Sequence, residues 1–482
     1  MNLHVISTSI LVAHWLIVVG LFLRVIAKRA PVGPSSGWLA LIASAPFVGA
    51  ALYLLFGERR LGRRRAARVA ACIGDVERWQ AQLRELREAS TVQLPPTTEP
   101  IRHQAEHVLG FPALTGNGVE LFDDFQRVFD ALIADIDGAA TRCHLCFYIW
   151  HEAGRVLEVV EALVRAAERG VECRLLADAI GSKAFLVSAS ARRLRAAGVE
   201  VTPALPTGAL RTIFVRRDLR NHRKIVVIDD RVAYTGSQNL VDPRYFKQDA
   251  GVGEWVDAMA RISGPTATAL DGVFALDWTV ETGRACELPA IDATGSSAGS
   301  GSTLQVVPSG PDLRPEAMHQ LLSSAIYAAR SELVITTPYL VPDDAILTAL
   351  KCAALRGVAV TLIVPEHNDS ALVRYASVAN YDELLTAGVT IALFAGGLLH
   401  TKSLTIDGEW SVFGSVNLDM RSIWLNFEIS IFAYDAGFTG RLKKLQDEYL
   451  RASRTLDLAE WRRRPAARRF AENASRFVAP LL

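Results

Sequence analysis

The sequence predicts an α/β fold in which two pseudo-symmetric domains follow a hairpin of two membrane helices. Three observations predict it: the chain carries an internal duplication, each copy alternates apolar strand-like runs with helices, and two long apolar runs open the sequence. Alternation of this kind is typical of helices packed on a central sheet. The 482 residues are enough for two or three domains.

The amino-terminal apolar runs predict the membrane hairpin. Residues 3–23 are almost free of charge, and a second run covers residues 38–56. Each is near the length that spans a bilayer core. A cleaved signal peptide is disfavoured because no basic residue precedes the first run and a second run follows at once. We therefore expect a transmembrane hairpin over residues 1–60, and a mean hydropathy of +0.20 agrees with it.

Arginine clusters beside the two runs predict the orientation. The hairpin loop carries Arg24, Lys28 and Arg29, and a larger cluster follows the second run: Arg59, Arg60, Arg63, Arg64, Arg65 and Arg68. The larger cluster is expected on the cytoplasmic side, which places the rest of the chain there too. The same arginines are suited to anionic lipid headgroups.

Composition also predicts the division of the remaining chain. A charged helical connector covers residues 61–100 and ends near Pro95-Pro96. The first domain follows over residues 101–292, a Gly/Ser linker over 293–303, and the second domain over 304–482, with a basic amphipathic tail. The duplication shows in paired turns, such as Arg169-Gly170-Val171 and Arg356-Gly357-Val358.

One short motif occurs once in each copy. His222 and Lys224 precede Asp229, His400 and Lys402 precede Asp407 at the same spacing, and a Gly-Ser-x-Asn turn follows each set at residues 236–239 and 414–417. Two matched sets indicate one bipartite site. Chemistry at a phosphodiester needs a nucleophile, an acid for the leaving oxygen and cations for the other oxygens, and these sets supply all three.

Strand geometry separates the members of the motif. His222 and Lys224 lie two residues apart at an apolar strand, so they project to one face, whereas Asp229 lies an odd number of residues away. The same holds for Asp407 in the second copy. We therefore keep both aspartates as motif members but expect them to act in structural turns.

The repeated motif resembles the signature of the phospholipase D superfamily. Longer blocks, at residues 220–224, 241–253, 396–402 and 416–422, resemble the bacterial cardiolipin synthases with two membrane helices. Residues 56–62 and the terminal Pro480-Leu481-Leu482 resemble that family too, so the resemblance covers nearly the whole chain.

The resemblance implies two phospholipase D-like domains that form one active site at their interface, in an enzyme of the bacterial inner membrane. His222 would attack the phosphorus of a phosphatidylglycerol and form a phosphohistidine. His400 would protonate the departing glycerol and then accept the proton of a second phosphatidylglycerol, giving cardiolipin and glycerol. The pseudo-symmetry leaves the reverse assignment of the two histidines open.

The resemblance also implies supporting residues. Lys224, Lys402, Asn239 and Asn417 would donate to the phosphoryl oxygens, with Ser237 and Ser415 as helpers. The family places a carboxylate on a later strand of the same half as each histidine, which implies Glu428 for His400 and either Asp257 or Glu254 for His222. No cofactor or metal is expected, since histidine and lysine provide the nucleophile and the cations.

Several other interpretations remain in competition. A hydrolase, or a transferase using another alcohol acceptor, would share the covalent intermediate. A nucleic-acid partner is disfavoured by the membrane runs and a net charge of +1, and a non-catalytic scaffold would not need both motifs. Arginines near the first histidine are expected to meet an anionic headgroup: Arg211, Arg216, Arg217, Arg220 and Arg223.

Overall fold

The computed structural model describes residues 3–28, 32–58, 61–88, 94–206, 216, 218–291, 301–312 and 314–475. The chain forms two compact units, residues 1–66 with 207–219 and residues 67–206 with 220–482. Several sequence-based expectations lie outside the described residues: most of the Gly/Ser linker, the carboxyl-terminal Pro480-Leu481-Leu482, and Arg29, Arg59, Arg60, Arg211 and Arg217.

The first unit contains the apolar helices of the amino terminus. They are α1 (Leu3–Ala27), α2 (Val32–Ser44) and α3 (Pro46–Leu52), and a π-helical turn, Tyr53–Gly57, follows. Within α1, Thr8–Ala27 is long and apolar enough to cross a membrane. Its large side chains Trp15 and Leu16 are 58% and 69% exposed, which suits contact with lipid.

The second predicted membrane helix, residues 38–56, is not continuous. The helix stops at Ser44 and restarts at Pro46, because Ala45 has φ −142° and ψ 72°. Proline has no N–H and disfavours helical backbone at the preceding residue. Two shorter apolar helices therefore replace the single expected one. Beyond the break, Glu58 forms an ion pair with Arg24 at the end of α1, with Nε and Oε1 2.5 Å apart.

The helices that follow precede, alternate with or succeed the strands of a large sheet along the chain. They are α4 (Arg63–Glu88), α5 (Glu99–Leu109), α6 (Phe125–Asp137), α7 (Val156–Glu168), α8 (Lys183–Leu186), α9 (Ala189–Ala196), α10 (Pro265–Thr282), α11 (Ala317–Ala328), α12 (Asp344–Leu355), α13 (Ala371–Val378), α14 (Tyr381–Thr386), α15 (Met420–Trp424), α16 (Ala436–Arg451), α17 (Leu458–Arg462) and α18 (Ala466–Ser475).

The strands divide into two series of the same type. The first contains β1 (Ala113–Phe122), β2 (Arg142–Phe147), β3 (Glu172–Asp178), β4 (Glu200–Ala204), β5 (Ile225–Ile228), β6 (Val232–Gly236), β7 (Trp255–Val256) and β8 (Met259–Ser263). The second contains β9 (Ser302–Ser309), β10 (Glu332–Thr336), β11 (Leu340–Val341), β12 (Ala359–Pro365), β13 (Thr390–Phe394), β14 (Leu398–Leu399), β15 (Ser403–Ile406), β16 (Trp410–Gly414), β17 (Leu418–Asp419), β18 (Glu428–Ala433) and β19 (Ser453–Thr455).

Fifteen of these strands form one sheet, and its order confirms the duplication. The first half runs β1-β8-β6-β5-β2-β3-β4, and the second repeats it as β9-β18-β16-β15-β10-β12-β13 with β19 added at the edge. The halves join where β1 pairs antiparallel with β9. Parallel and antiparallel pairs both occur, as in the parallel β2–β3 and antiparallel β2–β5 ladders, so the α/β class is confirmed.

Helices cover both faces of the sheet. On β5, Ile225 and Val227 belong to the core cluster that includes α10 and α16, whereas Val226 and Ile228 belong to the cluster with α6 and α7. A third cluster buries α11 and α12 against the second half. Successive strand residues thus face opposite layers, as the pleat requires. This alternation decides where the residues of the repeated motif point.

The motif aspartates lie at the far ends of their strands from the histidines. Asp229 follows β5 with a left-handed φ of 52° and accepts the backbone N–H groups of Ala140, Thr141 and Arg142 at 2.7–2.9 Å. Asp407 follows β15 with φ 53° and binds the turn before β10 in the same way. Both carboxylates satisfy backbone donors, so the structure places them outside the candidate site.

Candidate active site

The first histidine reaches the site because the backbone crosses between the halves. Asn221, just before His222, forms a parallel bridge with Phe427, just before Glu428. The His222 N–H donates to the Phe427 carbonyl at 2.8 Å. This pairing sets the two following side chains next to each other. The His222 Nδ1 and Glu428 Oε2 atoms are 2.8 Å apart.

The second histidine is placed by the equivalent crossing in the other direction. Leu399 pairs with Val256 in the β14–β7 ladder, and the His400 N–H donates to the Val256 carbonyl at 2.8 Å. The next residue, Asp257, therefore lies beside the histidine, with its Oδ1 2.6 Å from His400 Nδ1. Each half thus supplies one histidine and the carboxylate for the other half's histidine.

The expected pairing of histidines with carboxylates within each half is wrong. Glu428 supports His222 and not His400, and Asp257 supports His400 and not His222. Glu254, the competitor of Asp257, contributes its backbone carbonyl to the Leu398 N–H at 2.9 Å. The reason is the pair of crossings between halves, which brings each carboxylate strand to the opposite motif.

The motif serines hold the carboxylates. Ser237 Oγ donates to Asp257 Oδ1 at 2.6 Å and accepts the Ala258 N–H at 3.0 Å. Ser415 Oγ donates to Glu428 Oε2 at 2.5 Å. Both serines are fully buried. They therefore orient the carboxylates that orient the histidines, a support role one step further from the phosphoryl group than expected.

The two lysines lie next to their own histidines. Lys224 Nζ donates to the His222 carbonyl at 2.7 Å, and Lys402 Nζ donates to the His400 carbonyl at 2.5 Å. Both side chains are buried. Burial lowers the pKa of Lys224 to about 8, which leaves it protonated at pH 7, and lowers the pKa of Lys402 as well. An ammonium with one bond to a carbonyl retains two further protons for an anionic ligand.

The two asparagines differ in their surroundings. Asn239 Oδ1 accepts the Ile149 N–H at 3.1 Å, which fixes the amide and leaves its buried Nδ2 without a hydrogen bond among the described residues. Asn417 is anchored differently, since its Oδ1 is the atom without a described partner. Asn239 therefore fits the predicted role of a phosphoryl donor directly.

The protonation states follow from burial and charge. Burial lowers the pKa of both His222 and His400 to about 4, against the attraction of their carboxylates. Burial raises the pKa of Asp257, but His400, Lys402 and Ser237 outweigh it and bring it to about 2. The pKa of Glu428 is lowered in the same way, chiefly by His222. At neutral pH the site thus holds neutral imidazoles beside ionised carboxylates.

This arrangement fixes which ring nitrogen can react. An ionised carboxylate accepts the Nδ1–H, so the lone pair of each neutral ring is on Nε2. Among the described residues, neither Nε2 makes a hydrogen bond. Two oriented imidazoles with adjacent lysine Nζ donors can attack a phosphorus atom, pass protons and stabilise phosphoryl charge.

Two neighbours of the histidines, and one carboxylate that interacts electrostatically with Lys402 and Glu428, were not identified as site residues from the sequence. The Tyr148 ring centroid lies 4.9 Å from that of His222, and the Trp255 centroid lies 4.3 Å from that of His400. Asp419, buried at the start of α15, has its pKa raised to about 6, mainly by burial. Their positions in the sequence were the available signal for the two aromatic residues. Tyr148 directly follows β2, and Trp255 lies two residues before Asp257.

Comparison with known proteins agrees with this geometry. The family model described as cardiolipin synthase, phospholipase D-like domain, matches residues 132–263 and 322–450, which include both histidine–lysine motifs. Cardiolipin synthase A of Yersinia pseudotuberculosis serotype O:1b (strain IP 31758) is 46% identical over 480 residues, 99% of either chain. Cardiolipin synthase A of Yersinia pestis bv. Antiqua (strain Angola) matches equally well.

A solved structure shares the fold. The phosphatidylserine synthase of Haemophilus influenzae Rd KW20 superposes with a TM-score of 0.60 at 15% identity, covering 80% of this chain and 100% of that one. Its likeness supports the two-domain architecture alone. With the matches over both halves and over the full length, the chain belongs to the cardiolipin synthases of the phospholipase D superfamily.

Proposed function

We propose that this enzyme transfers the phosphatidyl group of one phosphatidylglycerol to the free hydroxyl of another, giving cardiolipin and glycerol. The family gives the reaction class, and the curated relatives are named for the same product. The observation that carries the proposal is the pair of crossed histidine–carboxylate contacts, at 2.8 and 2.6 Å, in one buried centre with two lysines.

The first step breaks the donor headgroup bond. His222 Nε2 attacks phosphorus as the bond from phosphorus to the glycerol oxygen breaks, and His400 gives its Nε2 proton to that oxygen. Arrival of the anionic phosphodiester favours the charged form of a nearby imidazole, and Asp257 stabilises it further. The products are a phosphohistidine and free glycerol.

The second step forms the new ester. The hydroxyl oxygen of a second phosphatidylglycerol attacks phosphorus, the bond to His222 Nε2 breaks, and His400 accepts the hydroxyl proton. Lys224, Lys402 and Asn239 donate to the phosphoryl oxygens in both five-coordinate transition states. Because His400 gives one proton to the departing glycerol and regains one from the incoming hydroxyl, the cycle returns both histidines to their starting states.

Burial of the site favours transfer over hydrolysis. His222 is 7% exposed and His400 is 2% exposed. A closed centre of this kind limits the access of water to a reactive phosphohistidine, so an alcohol delivered as part of a lipid competes well. We therefore favour cardiolipin synthesis over two other hypotheses, hydrolysis of the lipid and transfer to another alcohol acceptor.

The membrane part of the proposal concerns location and orientation. The apolar window Thr8–Ala27 supports anchoring in the cytoplasmic membrane. We propose a multi-pass anchor with the site on the cytoplasmic side, where Arg63, Arg64 and Arg65 would meet anionic lipids.

Reporter fusions test this orientation. Green fluorescent protein fused after Leu482 should fluoresce, and periplasmic alkaline phosphatase fused there should be inactive. An active phosphatase would show that the carboxyl terminus lies in the periplasm and would contradict the proposed orientation.

Product analysis tests the reaction. Purified enzyme in mixed micelles with phosphatidylglycerol alone is expected to form cardiolipin and glycerol in a 1:1 ratio, because donor and acceptor are the same lipid. Mass spectrometry quantifies both products. Accumulation of phosphatidic acid with glycerol and no cardiolipin would show that water is the acceptor and would reject the proposal.

Variants of the two histidines test their assignment. His400→Ala should abolish turnover, because no group remains to protonate the departing glycerol or to activate the second hydroxyl, and the phosphatidyl adduct that forms slowly without this acid should lie on His222. Intact-protein and peptide mass spectrometry locate the adduct. His222→Ala is the matched control and should carry none. An adduct on His400 in the His222→Ala variant would exchange the two roles.

The neutral state of the buried histidines predicts a pH dependence of stability. Their folded pKa of about 4 lies below the unfolded value of about 6.5, so the unfolded state binds more protons between these limits and stability falls as pH falls. From pH 6.5 to 5 each histidine should cost about 1.6 kcal/mol. Tryptophan fluorescence during thermal unfolding of the detergent-solubilised enzyme measures this.

Two variants make that measurement specific. The double variant His222→Gln and His400→Gln should lose less stability on acidification than the unaltered chain. His144→Gln is a contrasting control, because hydrogen bonds to Asp271 and Glu172 overcome burial and raise the pKa of His144 to about 9. The His144 contribution is complete below about pH 6.5 and is lost progressively as pH rises from there to about 9. Equal acid sensitivity in the double variant and the unaltered chain would contradict neutral histidines.

A further inference from the structure

The middle residue of the first motif, Arg223, is buried and does not meet a headgroup as expected. It lies between His222 and Lys224 on the chain, so it projects to the opposite face, towards Asp277 of α10. Its side chain is 6% exposed. Arg220 is buried as well, and Arg216 pairs with Asp218 at 2.6 Å.

The Arg223 guanidinium uses all three of its nitrogen atoms. Nη1 forms an ion pair with Asp277 of α10 at 2.6 Å. Nη2 donates to the Ser309 carbonyl at the end of β9, and Nε donates to the Glu428 carbonyl at the start of β18, both at 3.1 Å. The guanidinium therefore ties α10 of the first half to two strands of the second.

These contacts bear on the residue that orients His222. Glu428 and Ser309 are partners in the β18–β9 ladder, so Arg223 bonds both carbonyls of one register pair. The guanidinium also lies over the Phe427 ring, 5.5 Å from its centroid, and Phe427 accepts the His222 N–H. Arg223 thus bonds the backbone of Glu428 and packs on the ring of Phe427, the two neighbouring residues that orient and position His222.

The other arm of the site is held differently. Thr401 occupies the equivalent position in the second motif, and its hydroxyl lies 3.3 Å from the Val256 carbonyl and 3.0 Å from the Tyr449 hydroxyl. This arm therefore relies on neutral hydrogen bonds where the first relies on a buried ion pair. The two pseudo-symmetric histidines are supported by unequal means.

We propose that Arg223, held by Asp277, is a positioning residue that sets the distance between Glu428 and His222 and so the rate of phosphoryl transfer. Arg223 acts through the Glu428 backbone. The assay rests on the proposed function, but the inference does not depend on which histidine is the nucleophile. A planar fork with three directed donors is required, and lysine cannot reproduce it.

The first test separates turnover from binding. Arg223→Lys keeps the charge but loses the fork, and it should lower kcat about 100-fold while KM for phosphatidylglycerol stays within about twofold, as a small misplacement of a reacting group does. Arg261→Met with Asp135→Asn removes another arginine–aspartate pair, with Nε and Oδ2 2.7 Å apart, and should leave kcat unchanged. Unchanged kcat in Arg223→Lys would overturn the proposal.

The second test separates positioning from simple charge balance. Arg223→Met leaves Asp277 buried without its partner, which itself destabilises a fold. Arg223→Met with Asp277→Asn removes both charges and should recover the melting temperature but not kcat. Recovery of kcat together with stability would show that the pair is needed only for folding, and would overturn the proposal.

Chemical rescue provides a readout that a structural role would not move. Arg223, Asp277 and Ser309 line a cavity of about 820 Å³ bordered by α4 and α5, so a small cation has space to reach the vacated position. Millimolar methylguanidinium should raise kcat of Arg223→Ala saturably and should not affect Thr401→Val. Absence of rescue in folded Arg223→Ala, or equal stimulation of both variants, would count against the proposal.

These outcomes remain distinct from failure of the proposed function. If the unaltered enzyme makes phosphatidic acid and no cardiolipin, the proposed function fails. The kcat ratio of Arg223→Lys to the unaltered chain is then measured on phosphatidic acid release, because both reactions pass through His222 and Glu428. A ratio near one on whichever product forms rejects the positioning role by itself.

Discussion

Two backbone hydrogen bonds between the halves determine the rest of the site. The His222 N–H binds the Phe427 carbonyl, and the His400 N–H binds the Val256 carbonyl, each at 2.8 Å. In both cases the next residue is the carboxylate. A shift of one residue in either pairing would turn that carboxylate away from its histidine, because adjacent residues of an extended chain point to opposite sides. The chemistry thus depends on the register between halves more than on any one side-chain contact.

Local patterns of the sequence were sufficient for the repeat, the sheet and the faces of the motif residues. Spacing separated His222 and Lys224 from Asp229, and the structure gives Asp229 three backbone donors. Pairing of the carboxylates was beyond such patterns. Glu428 lies 206 residues from His222, and Asp257 lies 143 residues from His400. A repeat shows which residues are equivalent, but it does not show which half each one serves.

Two other predictions from the sequence differ from the structure, and each difference has a physical cause. Hydropathy summed over residues 38–56 passes over Pro46, although one missing N–H is enough to end a helix. Arg223 looked exposed because charge usually marks surface, yet its ion pair with Asp277 and two carbonyl acceptors offset its burial. In both cases one side chain or one backbone donor overrides the average property of its segment.

The crossed pairs also make each half of the site incomplete by itself. A chain that has folded only its first half carries His222 without Glu428 and Asp257 without His400. In such a half, no carboxylate orients the His222 imidazole, and Asp257 has no histidine partner. An imidazole held by its carboxylate therefore exists only after the second half has folded and docked against the first.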